Sequence, residues 1–175
     1  NEILGVDISR VKLLHGDTGQ TPFSTGTYAS RAMVMAGGAV TRACRELIPR
    51  LLHIGAFLLG VTVEEVALKD GFVVSGQASV SLADIGDAWY IRPNRLSADA
   101  DPRGLEITMG FKPAVDTGAF TYASHAVLVA VDTESGEVEI LDYVVVEDCG
   151  TMINPMLVEV QTYGDIAHGI STALY

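Results

Sequence analysis

The amino-acid sequence predicts an α+β fold, a layered domain of β-hairpins packed against helices. Three patterns lead there: apolar residues recur at helical spacing from about 30 to 59, short β-branched runs are joined by turn sequences, and a second helical period ends the chain. In the first stretch the period is carried by Met33, Val34, Val40, Cys44, Leu47, Ile48, Leu51 and Leu52. Gly37-Gly38 removes side chains where another backbone or a ligand can approach. Pro49 deletes one helical hydrogen bond and predicts a kink, and Gly60 is the expected stop.

Thr62-Val63-Glu64-Glu65 has the spacing of a capping box for a short helix. Val66 to Lys69, the Asp70-Gly71 turn and Phe72 to Ser75 read as a tight hairpin, after which Ser81 caps a second short helix running through Trp89. Residues 92–103 contain Pro93, Pro102 and several Asp, Asn and Ser, which makes them the best loop in the chain and the expected mobile segment. Ala126 to Val131 and Val138 to Val146 are strands joined by Thr133-Glu134-Ser135-Gly136. Val127, Leu128, Val129 and Ala130 put apolar atoms on both faces of the first, as expected of a strand covered on both sides. In the last helix Met156, Val160, Tyr163, Ala167, Ile170 and Leu174 form a stripe expected to pack on the sheet.

Composition narrows the class. Hydrophobic residues make up 49% of the 175 and charged residues 19%, which excludes a disordered or fibrous chain. A formal net charge of −11 disfavours nucleic acid and acidic membrane surfaces. Cys44 and Cys149 form no CxxC pair, so neither a disulfide framework nor a zinc site is indicated and a cytoplasmic location is expected. Apolar runs such as Ala56-Phe57-Leu58-Leu59 are too short to cross a bilayer, so no membrane span is expected. His15, His53, His125 and His168 are scattered without HExxH or paired spacing, so no metal site is expected from them. The absence of a GxSxG elbow leaves no basis for a hydrolase triad. The abrupt start at Asn1-Glu2-Ile3-Leu4-Gly5 and the close inside a helical pattern at Ala173-Leu174-Tyr175 suggest a piece of a larger protein, with 1–175 treated as one fragment of a domain.

The most informative stretch is Asp148-Cys149-Gly150-Thr151-Met152-Ile153-Asn154-Pro155-Met156, followed by Gln161, because it ends a β-branched run and opens a helix in one step. Asn154 has an N-cap side chain and Pro155 suits the first helical position, so the first-turn amides would face an anion such as phosphate or pyrophosphate. Most Asn-Pro junctions only cap a helix, and that reading stays open on physics alone. Likewise Ser30 reads equally as a simple cap of the long helix with Arg31 solvated, Cys149 as a small buried apolar residue and Gln161 as part of a solvated face.

Together with Gly16-Asp17-Thr18 and Gly26-Thr27-Tyr28-Ala29-Ser30-Arg31, this junction resembles the molybdenum-binding large subunit of the xanthine dehydrogenase, aldehyde oxidase and aerobic carbon monoxide dehydrogenase family, over nearly the whole chain. The resemblance implies a fragment of a larger molybdopterin-binding domain. It implies a molybdenum–molybdopterin cofactor, in bacterial members usually the cytosine dinucleotide, contacted by Thr27, Ala29, Ser30, Arg31, Cys149, Asn154 and Gln161. It also implies iron–sulfur clusters and FAD on partner domains or subunits, contact with the remainder of the large subunit, and a small-molecule substrate: an aldehyde, a purine, an N-heterocycle or carbon monoxide. The Glu that serves as base in relatives lies downstream, so no catalytic residue is expected in this chain, which alone should be inactive. Two departures bear on the fit: Ala29 stands where many relatives have Gly, and Val160 and Asp165 stand where they have Gly around Gln161. The alternative is a cofactor-free structural or interaction module sharing the fold; Thr27, Ser30, Asn154 and Gln161 argue against it.

Overall fold

The apolar period of the first third becomes a 22-residue helix, α1 (Gly38–Leu59), entered through a π-helical turn at Met33–Gly37 and continuing through Pro49. The helix therefore begins at Met33 rather than at Ser30. Gly60 ends it with φ +69°, and its N–H and that of Val61 reach back to the carbonyls of Ala56 and Phe57. The computed structural model describes residues 2–115 and 120–175, which divide into two compact units, Asn1–Gly118 and Ala119–Tyr175.

In the first unit α1 packs on a three-stranded antiparallel meander of β1 (Ala67–Lys69), β2 (Phe72–Ser75) and β3 (Ala78–Ser81). Lys69 pairs with Phe72, leaving Asp70 and Gly71 as the loop, at φ +49° and +78°; positive φ at both positions is what a type I′ turn requires. The third strand is not foreseen by the sequence reading. α2 (Leu82–Tyr90) then starts where expected: the Ser81 hydroxyl accepts from the Asp84 N–H at 3.1 Å and donates to the Asp84 carboxylate at 2.6 Å. At the other predicted capping box, Glu65 accepts from the backbone N–H and the hydroxyl of Thr62, and one 3-10 turn, Val63–Glu65, follows.

Leu51 and Ile54 of α1, Val73 of β2 and Ile85 of α2 form the buried core of this unit. The contact is made possible at Gly55, where a Cβ would lie 2.6 Å from Val73 Cγ1. Glycine here costs about 1 kcal/mol of helix propensity but lets the helix approach the sheet. At Gly38 it is the side chain of Phe111, not a backbone or a ligand, that occupies the space a Cβ would fill.

Beyond α2, a 3-10 turn at Pro93–Arg95 is the only helical turn among the described residues of 92–103. The end of this segment is tied to α1. Arg50, only 8% exposed, donates from Nη1 to the Gly104 carbonyl at 2.7 Å, and its Nε lies 3.5 Å from Asp101. Arg103 pairs with Asp101 at 2.6 Å and with Glu46 at 3.4 Å. The buried charge is thus flanked by two carboxylates, as burial of a guanidinium requires.

The second unit is a hairpin of β4 (Tyr122–Val131) and β5 (Val138–Asp148) with α3 (Pro155–Leu174). Leu128 pairs with Asp142 but Val129 with Ile140, so Leu141 is an extra residue on β5. This bulge keeps Val138, Ile140, Tyr143 and Val145 on one face, where all four are half-buried. That face and α3 enclose an apolar cleft of about 230 Å³ lined by residues including Val127, Val129, Ile140, Ile170 and Leu174.

Two expectations are corrected here. The half-buried positions of α3 are Val158, Thr162, Ile166 and Ile170, whereas Met156, Val160 and Tyr163 are exposed. The helix is apolar on more than one side, so its period alone does not select the packed stripe; the four-residue spacing from Val158 does. β4 is not covered on both sides: every residue of it is exposed, on either face of the strand.

Gly55→Ala should lower stability by roughly 1–3 kcal/mol, overpacking against Val73 outweighing the gain in helix propensity. In urea unfolding, Val73→Ala should cost less in the Gly55→Ala background than in the wild type, and equal costs would show that the two residues do not share the space.

The hydrogen bonds from the Arg103 side chain and then its backbone N–H hold the Asp101 carboxyl down to about 2, from an ordinary 3.8. A depressed folded-state value means that its stabilisation is complete above pH ~4 and is lost as pH falls toward 2. Acid titration of Asp101→Asn should therefore show a shallower loss of stability in that window than the wild type.

Candidate functional site

The candidate residues fall into two groups, one in each unit, each described by itself. In the first, Tyr28, Ala29, Ser30 and Arg31 form a tight turn closed by the Arg31 N–H donating to the Tyr28 carbonyl at 3.4 Å. Ala29 and Ser30 both sit in the left-handed region, at φ +54° and +49°, the pattern of a type I′ turn. Non-glycine residues adopt that region at a cost of about 1–2 kcal/mol each. Ser30 is therefore not the N-cap of the long helix; the residue before the π-helical turn is Ala32, with no side-chain cap.

Across this turn the Arg31 guanidinium lies over the Tyr28 ring, with Cζ 3.8 Å from the centroid. Arg31 is half-buried, while Thr27, Tyr28, Ala29 and Ser30 are exposed. The Arg31 carbonyl accepts from the Met35 N–H at 3.0 Å, which joins the turn to the start of the helical segment. Upstream, Asp17 is engaged with its own loop: its carboxylate accepts from the Gly19 N–H at 2.8 Å and the Gln20 side chain at 2.6 Å.

In the second unit the β5–α3 junction carries Cys149, Asn154 and Gln161. The Asp148 carboxylate accepts from the Gly150 N–H at 2.9 Å, and Gly150 has φ +73°, so the chain turns sharply at the half-buried, free Cys149. Asn154 occupies the N-cap position with extended backbone, and Pro155 is the first residue of the helix, as the junction predicts. The Asn154 carbonyl accepts from the N–H groups of Leu157 and Val158 at 3.1 and 3.3 Å. Its side chain, however, makes no capping hydrogen bond, which corrects the expectation that the carboxamide caps the helix. Gln161 is exposed on α3 two turns further on, hence on the same flank as Asn154.

The donor set has a defined chemistry. The first group offers three hydroxyls, a guanidinium and the backbone amides of a tight turn, with no carboxylate among residues 27–31; the second offers a carboxamide ahead of α3. Such donors suit a large, mostly neutral heterocycle bearing phosphate. Among the described residues no group of three or more His, Cys, Asp or Glu is placed to hold a metal ion, and no helix is long and apolar enough to cross a membrane. The sequence reading missed Tyr28; the signal for it was an aromatic three residues before an arginine across a turn.

Comparison with known proteins agrees with this chemistry. The family model of the molybdopterin cofactor-binding domain matches residues 1–175. The nicotine 6-hydroxylase large subunit of Paenarthrobacter nicotinovorans is 33% identical over 99% of this chain and 21% of its own length. The carbon monoxide dehydrogenase large chain of Hydrogenophaga pseudoflava is 31% identical over 98% of this chain and 21% of its own. The crystal structure of quinoline 2-oxidoreductase from Pseudomonas putida 86 superposes with a TM-score of 0.79 and 32% identity, over 96% of this chain and 21% of that one. The chain spans about a fifth of the length of these relatives. It belongs to the molybdopterin cofactor-binding domain family, and its α+β fold is the one seen in that structure.

Ala29→Gly should raise stability by about 1 kcal/mol by relieving the left-handed alanine, and Ala29→Val should lower it further than any loss of packing at this exposed site explains. Thermal unfolding of the two variants checks the sign; a destabilised Ala29→Gly would show that the turn is not under strain.

Proposed function

We propose that this molybdopterin cofactor-binding domain forms one wall of the cofactor site in the large subunit of a molybdenum hydroxylase, an oxidoreductase. The observation that carries the reading is the turn at residues 28–31, where two left-handed residues with small side chains, Ala29 and Ser30, follow Thr27 and precede the Arg31 guanidinium. Strain of this kind persists at ligand-binding sites, where the surroundings over-determine it. In this reading Thr27 and Ser30 donate from their hydroxyls to the pterin, the small Ala29 allows close approach of backbone, and Arg31 addresses phosphate. Cys149, Asn154 and Gln161 line the other part of the group, with the Asn154 carboxamide available because it is not engaged in capping the helix.

When bound, the molybdenum–pterin group supplies the two-electron redox chemistry of oxidative hydroxylation. The residues of this chain bind and orient it, and none is assigned a catalytic role. A cytosine dinucleotide form of the cofactor would carry phosphate that the Arg31 guanidinium could address; at the start of α3 Pro155 has no N–H and those of Leu157 and Val158 donate to the Asn154 carbonyl, so that turn offers few amides to an anion. The names of the relatives, which include a nicotine hydroxylase, a quinoline oxidoreductase and a carbon monoxide dehydrogenase, favour an N-heterocycle, with an aldehyde, a purine or carbon monoxide as the other substrate classes. The partners in this reading are the remainder of the large subunit and iron–sulfur and FAD domains or subunits. Two free cysteines support a cytoplasmic location.

The test uses the full-length subunit in its complex, with molybdenum and nucleotide measured per protein. Asn154→Ala should change stability by less than about 0.5 kcal/mol, because no cap is lost, and should lower cofactor content. Unchanged content in samples of matched stability would remove Asn154 from the site.

A further inference from the structure

We propose that Tyr28 is a positioning residue: its ring holds the Arg31 guanidinium flat across the turn, so that the fork of N–H groups is presented edge-on to a phosphate of the bound cofactor. The inference rests on the reading that this turn contacts the cofactor, and it adds a residue that the resemblance does not supply. Three observations carry it. Arg31 Cζ lies over the Tyr28 ring, 3.8 Å from its centroid, a cation–π contact that leaves the N–H donors of the planar guanidinium pointing outward in the plane of the group. Backbone geometry enforces the pairing, since the Arg31 N–H closes the turn on the Tyr28 carbonyl and the left-handed Ala29 and Ser30 bring the first and fourth side chains together. Finally, Tyr28 is 56% exposed while Arg31 is half-buried, so hydrophobic burial of the ring does not account for its placement.

The consequence is electrostatic and entropic. The chain carries a formal charge of −11, so its field opposes a pyrophosphate, and a correctly aimed cation matters more than it would on a basic surface. An arginine on an open loop loses rotamer freedom when it grips phosphate; one already stacked has lost it beforehand. Tyr28 acts only through Arg31, which separates it from a residue that touches the ligand itself.

The experiment is a double-mutant cycle in the full-length subunit within its complex, read as nucleotide and molybdenum retained per protein after gel filtration at several salt concentrations. Tyr28→Phe keeps the ring and should keep retention, whereas Tyr28→Leu should lower it about 2- to 5-fold, the range set by a surface cation–π contact. Arg31→Ala should lower it at least as far, and adding Tyr28→Leu to Arg31→Ala should lower it no further. Full retention in Tyr28→Leu alongside loss in Arg31→Ala overturns the positioning role and leaves the cofactor site standing, as does an additive double variant. Full retention in Arg31→Ala overturns both. Should Tyr28→Leu fail to fold, Tyr28→Trp replaces it: retention at or above wild type supports the stack, and retention as low as in Arg31→Ala sinks it.

Discussion

The close approach of α1 to the meander at Gly55 is the constraint on which the first unit depends. With no side chain at that point, Val73 fills the space, and Leu51, Ile54 and Ile85 close around it. A helix held this way along its C-terminal half acts as a rigid arm. Its N-terminal end continues into the π-helical turn, and the hydrogen bond from Met35 to the Arg31 carbonyl couples that end to the turn carrying Ala29 and Ser30. Sites on rigid elements are more reproducible than sites on free loops. The core at Gly55 and the turn at Tyr28–Arg31 are thus linked by one continuous helical segment, reinforced where Phe111 packs on Gly38.

A second device secures the same helix. Arg50 is buried one turn before Ile54, and its hydrogen bond to Gly104 draws the segment after α2 back onto α1. Replacing it by an apolar residue would remove a desolvated charge, but would also leave the Gly104 carbonyl without its donor, while Asp101 keeps Arg103. The network therefore specifies where the segment returns more than it adds to stability.

Much of this was legible in the residues. The capping boxes at Thr62 and Ser81, the Asp70-Gly71 turn, the stop at Gly60 and the helix start at Pro155 each depend on local chemistry that a few side chains determine, and each is found in place. What was not legible depends on partners remote in sequence. Ala78-Ser79-Val80-Ser81 has little strand character of its own and becomes a strand because β2 offers it an edge. The packed stripe of α3 was misplaced because Met156, Leu157, Val158 and Val160 are apolar on several sides, and only the hairpin selects Val158. Val127, Leu128, Val129 and Ala130 of β4 read from sequence as covered on both faces, and all four are exposed. For the candidate site, the residues were taken from the family motif, whereas the conformation of the turn and the contact of Arg31 with Tyr28 are tertiary facts.

The left-handed Ala29 ties these strands together. Glycine would take φ +54° without strain, and relatives are expected to have it there, so alanine introduces a local cost that something must offset. Within the described residues two interactions are placed to do so: the hydrogen bond closing the turn and the Arg31–Tyr28 stack, worth about 0.5–1 kcal/mol each at an exposed site. Their sum is about half of the strain of two left-handed residues, Ala29 and Ser30, at about 1–2 kcal/mol each. In the proposed reading, a ligand that hydrogen-bonds the amides of the turn would add to what holds it. In a chain whose net charge opposes phosphate, the proposed reading has that turn and its guanidinium held ready beforehand, so that weak local interactions would add up to a specific site.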